Sequence, residues 1–133
     1  MKLKDRVAIV TGGGKGIGQE ICLGLVKEGA KIVIAEIDIE NSEKAKKKII
    51  EAGSEALIIK TDVSNQKSIN EMVDQTIKHY GKIDILINNA GIRHVKKLLD
   101  HTKQDWDDMI SVNLTAPFLA SQAVIPHMIK NGK

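Results

Sequence analysis

A chain of 133 residues, 42% hydrophobic and 28% charged, has the size of one domain and enough apolar content to bury a core, which excludes intrinsic disorder. Its net charge of +3 and its few aromatic residues (Tyr80, Trp106 and Phe118) exclude a nucleic-acid groove with a base-stacking platform. One cysteine, Cys22, excludes an internal disulfide framework and, within an apolar helical pattern, reads as a buried inert thiol.

In chain order, Arg6 to Thr11 is a β-branched run ending in a glycine cluster, which predicts a buried strand and a turn. Ile17 to Glu28 carries a helical apolar stripe, Ile17, Ile21, Leu25 and Val26, stopped by Gly29. Lys31 to Glu36 is a second strand, and Asn41 or Ser42 can cap a helix reaching about Ala52, closed by Gly53. The lysines Lys44, Lys46, Lys47 and Lys48 on that helix have Glu40, Glu43 and Glu51 as neighbours and read as a solvated face. Glu55 to Thr61 is a third strand, and Ser64 or Asn65 caps a helix to His79 with Gly81 as its stop. Lys82 to Asn88 is a fourth strand, and a long helix runs from about Lys103 to Lys130. Asn131-Gly132-Lys133 reads as a helix-stop turn of the kind that leads into another strand.

Strictly alternating elements with continuously apolar strands predict an α/β fold, a doubly wound, Rossmann-like parallel sheet covered on both faces. Right-handed crossovers give the strand order 3-2-1-4. Residues 1–133 are therefore expected to form a single but incomplete domain, truncated before a fifth strand, with the fourth strand exposed at an edge. The charged start and the shortness of the apolar run Val7 to Val10 do not read as a signal peptide, and no run approaches membrane-spanning length. The expected setting is cytoplasmic, without membrane or nucleic-acid partners.

Between the first strand and helix lies Thr11-Gly12-Gly13-Gly14-Lys15-Gly16-Ile17-Gly18. Glycines here let the backbone turn sharply and approach a pyrophosphate, whose charge rests on free N–H groups of the helix; a large side chain at Gly12 or Gly16 is expected to fill the phosphate space. The spacing is not a Walker A loop, because Gly16 and not Ser or Thr follows Lys15. Glu36, closing the second strand, can accept adenosine ribose hydroxyls and repel a 2′-phosphate; Asp38 is the nearby competitor. Lys15 pulls the other way, since a cation can pair with that phosphate, but it can equally serve the pyrophosphate or Glu36. The balance favours NAD over NADP.

Thr11-Gly12-x-x-x-Gly16-x-Gly18, Asp62-Val63, Asn88-Asn89-Ala90-Gly91 and Ser111-Val112-Asn113-Leu114 together resemble the short-chain dehydrogenase/reductase family, of the 3-oxoacyl-carrier-protein-reductase type, across the whole chain. The resemblance implies hydride transfer between NAD(P) and a small alcohol or ketone. It implies that Gly12, Gly16, Ile17 and Gly18 hold the pyrophosphate, that Asp62 and Val63 contact adenine, and that Asn89, Ala90 and Gly91 run beside the nicotinamide-side ribose. Asn113 is similar to the family's catalytic asparagine, which interrupts its helix. Family members usually pair through the helix beginning near Lys103, so a homo-oligomer is expected of the full-length form.

The family's serine and Tyr-x-x-x-Lys pair have no counterpart here: Tyr80 is followed at plus four by Asp84. Proton transfer to a carbonyl needs a positioned acid, so residues 1–133 alone are expected to be inactive. A non-catalytic dinucleotide-binding module is the alternative; a methyltransferase sheet also joins glycines to an acidic strand end, but the N-N-A-G turn and Asn113 argue against it. His94 and His101, with Asp100 and Asp105 nearby, lack a recurring two-ligand spacing, and no metal site is expected. Arg93 and His94 border either a substrate pocket or solvent.

Overall fold

The computed structural model describes residues 1–132. Four parallel strands, β1 (Val7–Thr11), β2 (Lys31–Glu36), β3 (Ala56–Lys60) and β4 (Ile85–Ile87), form one sheet in the order β3-β2-β1-β4. The crossovers carry α1 (Gly16–Lys27), α2 (Ile39–Glu51) and α3 (Gln66–Tyr80). After β4 come a short 3-10 turn (Leu98–Asp100), α4 (Lys103–Ile110), a π-turn (Ser111–Thr115) and α5 (Ala116–Lys130).

The continuously apolar strands have a direct physical cause. Val7 and Ile9 face one helical layer with Ile69, Met72, Val73, Ala120 and Val124. Ala8 and Val10 face the other, with Cys22, Val26, Ala45 and Ile49. Each fully buried aliphatic side chain contributes about 1.5–3 kcal/mol, so neither face of a central strand can be polar.

Several boundaries differ from the predicted ones. Helix α2 begins earlier, because Asp38, in extended backbone, caps it: its Oδ1 accepts the Asn41 N–H at 3.0 Å. Ser42 instead donates its hydroxyl to the Asp38 carbonyl. For α3 the cap is Asn65, whose Oδ1 accepts the Ser68 N–H. Strand β4 is cut to three residues, since Asp84 turns its side chain back onto β1: it accepts the Arg6 guanidinium at 2.8 Å and the Val7 N–H at 3.0 Å. Among the described residues β4 pairs only with β1, and its isoleucines and leucine are half-buried. The 3-10 turn was not foreseen. Asn131 and Gly132 (φ 74°) end α5 as expected; Lys133 lies outside the described residues.

One expectation needs correction. The helix Lys103–Lys130 runs 28 residues and is, by length and composition, apolar enough to cross a membrane. Its stripe Ala116, Ala120 and Val124 is buried, with Ala120 and Val124 packed in the core beside α3, which accounts for the apolar character of that side.

Candidate functional site

Parallel strands bring all their carboxyl ends to one edge, and there the motifs meet. A cleft of about 350 Å³ opens over this edge, within the range of small-ligand sites. It is lined by Gly12, Lys15, Ile17, Gly18, Glu36, Asp62, Val63, Asn89, Ala90 and Gly91. Ala35, Ile37, Thr61, Ile92 and Val112 also line it and were missed; each adjoins in sequence a residue that was singled out. Gly16 does not line the cleft.

The glycines serve different purposes. Gly12 (φ 64°) takes a left-handed backbone, and a Cβ there would meet Asn89 Nδ2 at 3.0 Å and the Ala90 Cα at 3.1 Å, not the cleft itself. Gly16 (φ 54°) is left-handed too, with nothing within 4 Å of its missing Cβ. Gly18 is the tightest: a Cβ would overlap the Gly12 carbonyl and lie 2.6 Å from Asn89 Nδ2. Helix α1 has no side-chain cap and no acidic residue in its first turn, leaving its N-terminal N–H groups available to an anion.

Thr11 and Asn89 lock this turn to the end of β4. The buried Thr11 hydroxyl accepts the N–H groups of Asn89 and Ala90, both at 3.0 Å, and donates to the Ile87 carbonyl. Asn89 Nδ2 donates to the carbonyls of Thr11 (3.0 Å) and Gly12 (3.1 Å). The N-N-A-G segment thus ties the glycine turn to the end of β4.

The Glu36 side chain lies at the boundary of turn and strand, with the residue only 9% exposed. Its Oε1 accepts the Ile37 N–H at 3.0 Å and the Asp38 N–H at 3.5 Å, and its Oε2 the Gly14 N–H at 3.3 Å. Asp38 spends both oxygens on Asn41, whose backbone N–H above all holds the Asp38 carboxyl below the usual carboxylate range, with the side-chain amide adding to it; the nearby Lys15 and Lys44 charges add further. Asp62 is exposed and turns its Oδ1 onto the N–H and hydroxyl of Ser64.

Asn113 sits in the π-turn, the interruption expected of it, outside the cleft lining. Its Oδ1 accepts the Ile92 N–H at 2.9 Å and its Nδ2 donates to the Ile92 carbonyl at 2.8 Å, clamping a wall residue. Tyr80 lies at the other edge of the sheet, its ring 5.9 Å from the Nζ of Lys31, the first residue of β2. Burial, aided by Glu55, pushes its phenol up to about 12. Cys22 is buried under the turn, its thiol pushed up to about 12 by burial. His94 Nε2 and His101 Nδ1 are buried without hydrogen-bond partners, and no cluster fit for a metal occurs among the described residues.

The chain is similar to known proteins along nearly its whole length. It is 40% identical over 130 residues to an uncharacterized oxidoreductase of Thermotoga maritima, covering 98% of this chain and 51% of that protein. It is 39% identical over 128 residues to the 5-keto-D-gluconate 5-reductase of Escherichia coli, covering 96% and 50%. Among solved structures, NAD+-bound xylitol dehydrogenase superposes with a TM-score of 0.93 at 32% identity, covering 98% of this chain and 51% of that one. A metagenomic short-chain oxidoreductase in complex with NADP gives 0.92 at 34%, covering 98% and 60%. The chain thus spans about half the length of the curated relatives it matches. Residues 6–133, which hold every motif gathered around the cleft, match the short chain dehydrogenase profile, and the chain belongs to that family of oxidoreductases.

Proposed function

We propose that the cleft binds NAD in preference to NADP, for hydride transfer between the nicotinamide and a small alcohol or ketone. The buried Glu36 carboxylate carries this reading: held by backbone N–H groups at the cleft, it would accept ribose hydroxyls and repel a 2′-phosphate. The open N-terminus of α1, with Gly12, Lys15, Gly16, Ile17 and Gly18, fits a pyrophosphate. Asp62 and Val63 would border the adenine, and Asn89, Ala90 and Gly91 the nicotinamide-side ribose. Both amide atoms of Asn113 are engaged by Ile92, so its catalytic contribution would pass through the wall it fixes and the π-turn backbone. The names of the relatives, a keto-acid reductase and a polyol dehydrogenase, support a small-molecule carbonyl or alcohol as substrate. When bound, NAD supplies the hydride acceptor.

Glu36→Thr is expected to improve NADP binding relative to NAD by about 1–3 kcal/mol, the scale of one relieved charge conflict. Dissociation constants for both dinucleotides, measured by calorimetry, check this. An unchanged ratio would move the ribose away from Glu36.

A second reading, a dinucleotide-binding module, rests on the cleft alone, whose lining residues need only hold the cofactor. We expect a polypeptide of residues 1–133 to bind NADH without oxidising it against a panel of small ketones. It should also self-associate on gel filtration, since Trp106, Leu114, Phe118 and Ile129 stand at least 59% exposed along the helix through which family members pair. Turnover by a monodisperse monomer would overturn both expectations.

A further inference from the structure

Gly14 lines no part of the cleft and has no left-handed backbone, so neither ligand contact nor φ requires glycine there. What requires it is Glu36. A Cβ at position 14 would lie 2.9 Å from the Glu36 Cγ, 3.2 Å from its Oε2 and 3.2 Å from the Ser42 nitrogen. The missing methyl lets the Glu36 side chain lie flat on the turn, where Oε2 accepts the Gly14 N–H inside the protein.

We infer that Gly14 is a positioning residue for cofactor choice, acting through Glu36; this rests on the reading that Glu36 faces the adenosine ribose. A carboxylate offers about four lone-pair sites. The N–H groups of Gly14, Ile37 and Asp38 occupy three of them, which orients the group and leaves Oε2 able to accept a ribose hydroxyl. A methyl at position 14 meets the Glu36 side chain more closely than it meets backbone, so the side chain is what yields. Oε2 then loses its N–H and its alignment: NAD loses an acceptor, and NADP loses part of the charge that repels its phosphate.

The test is a double-mutant cycle on the dissociation constants of NAD and NADP, in the parent, Gly14→Ala, Glu36→Thr and the double variant. Gly14→Ala should narrow the preference for NAD by about fivefold, an ordinary coupling between touching groups. In the Glu36→Thr background it should change the ratio no further. Gly14→Ser adds the same Cβ and should behave alike. An unchanged ratio, or an equal shift in both backgrounds, overturns the inference, and so does loss of fold in both Gly14 variants, which would make the residue purely structural. A parent that binds neither dinucleotide defeats the cofactor reading itself; a parent that binds while Gly14→Ala leaves the ratio untouched defeats only this inference.

Discussion

Gly18→Ala is expected to destabilise the protein by about 3 kcal/mol, the upper range for overpacking a close-packed site. The single added methyl has no free direction. It would overlap the Gly12 carbonyl oxygen and crowd Asn89 Nδ2 at 2.6 Å, and neither neighbour can give way cheaply. The Gly12 carbonyl is itself held by that same amide at 3.1 Å, and Thr11 ties the segment to β4. Relieving the overlap therefore means parting α1 from the turn and the turn from Asn89 together. A loss of this size is a large part of the roughly 5–15 kcal/mol that holds a domain folded. Dinucleotide affinity should fall as well, because the displaced parts line the cleft. Urea denaturation and NADH titration check the two effects. A midpoint within error of the parent would mean that the helix and turn are less tightly packed than these distances require.

Asp84→Asn is the second large effect, about 2 kcal/mol at neutral pH, below the full cost of breaking a buried ion pair because Arg6 and Lys82 keep partial access to water. The Asp84 side chain is 2% exposed and gathers Arg6 at 2.8 Å, Lys82 at 3.3 Å and the Val7 N–H, joining the start of β4 to the start of β1. Burial opposes its ionisation, but the Val7 N–H, Arg6 and Lys82 together outweigh it and hold the carboxyl below its usual range. A depressed folded value sets the sign: the stabilisation is complete above about pH 4, the ordinary carboxylate value, and drains away as pH falls through the lowered one. The gap between parent and Asp84→Asn should thus narrow on acidification. Urea midpoints measured from pH 7 down to pH 3 follow it. A gap that stays constant over that range would show that the charge on Asp84 contributes nothing.

The helix caps illustrate where sequence reasoning stops. Asp38, Asn41 and Ser42 all have the chemistry of a cap, and spacing alone does not choose among them. The choice fell to Asp38 because the end of β2 leaves it in extended backbone, with its carboxylate over the first turn. The π-turn at Asn113 was legible only through the motif around it, since no local propensity marks it.

What the sequence determined by itself was the alternation of elements, the 3-2-1-4 sheet and most, though not all, of the residues that converge on its carboxyl edge. Apolar periodicity and glycine stops are local signals, and a right-handed crossover converts them into a topology without further information. What only the tertiary structure decided is how those residues are employed. Gly12 faces Asn89, Gly18 faces Gly12, Gly14 faces Glu36, and Asn113 closes on Ile92. Each of these pairings joins different elements across tens of residues or closes a turn on its helix, and no period along the chain encodes it. The reason is steric: the distance left between α1, the end of β2 and the end of β4 sets which atoms a Cβ would strike, and that distance exists only once both helical layers have packed on the sheet.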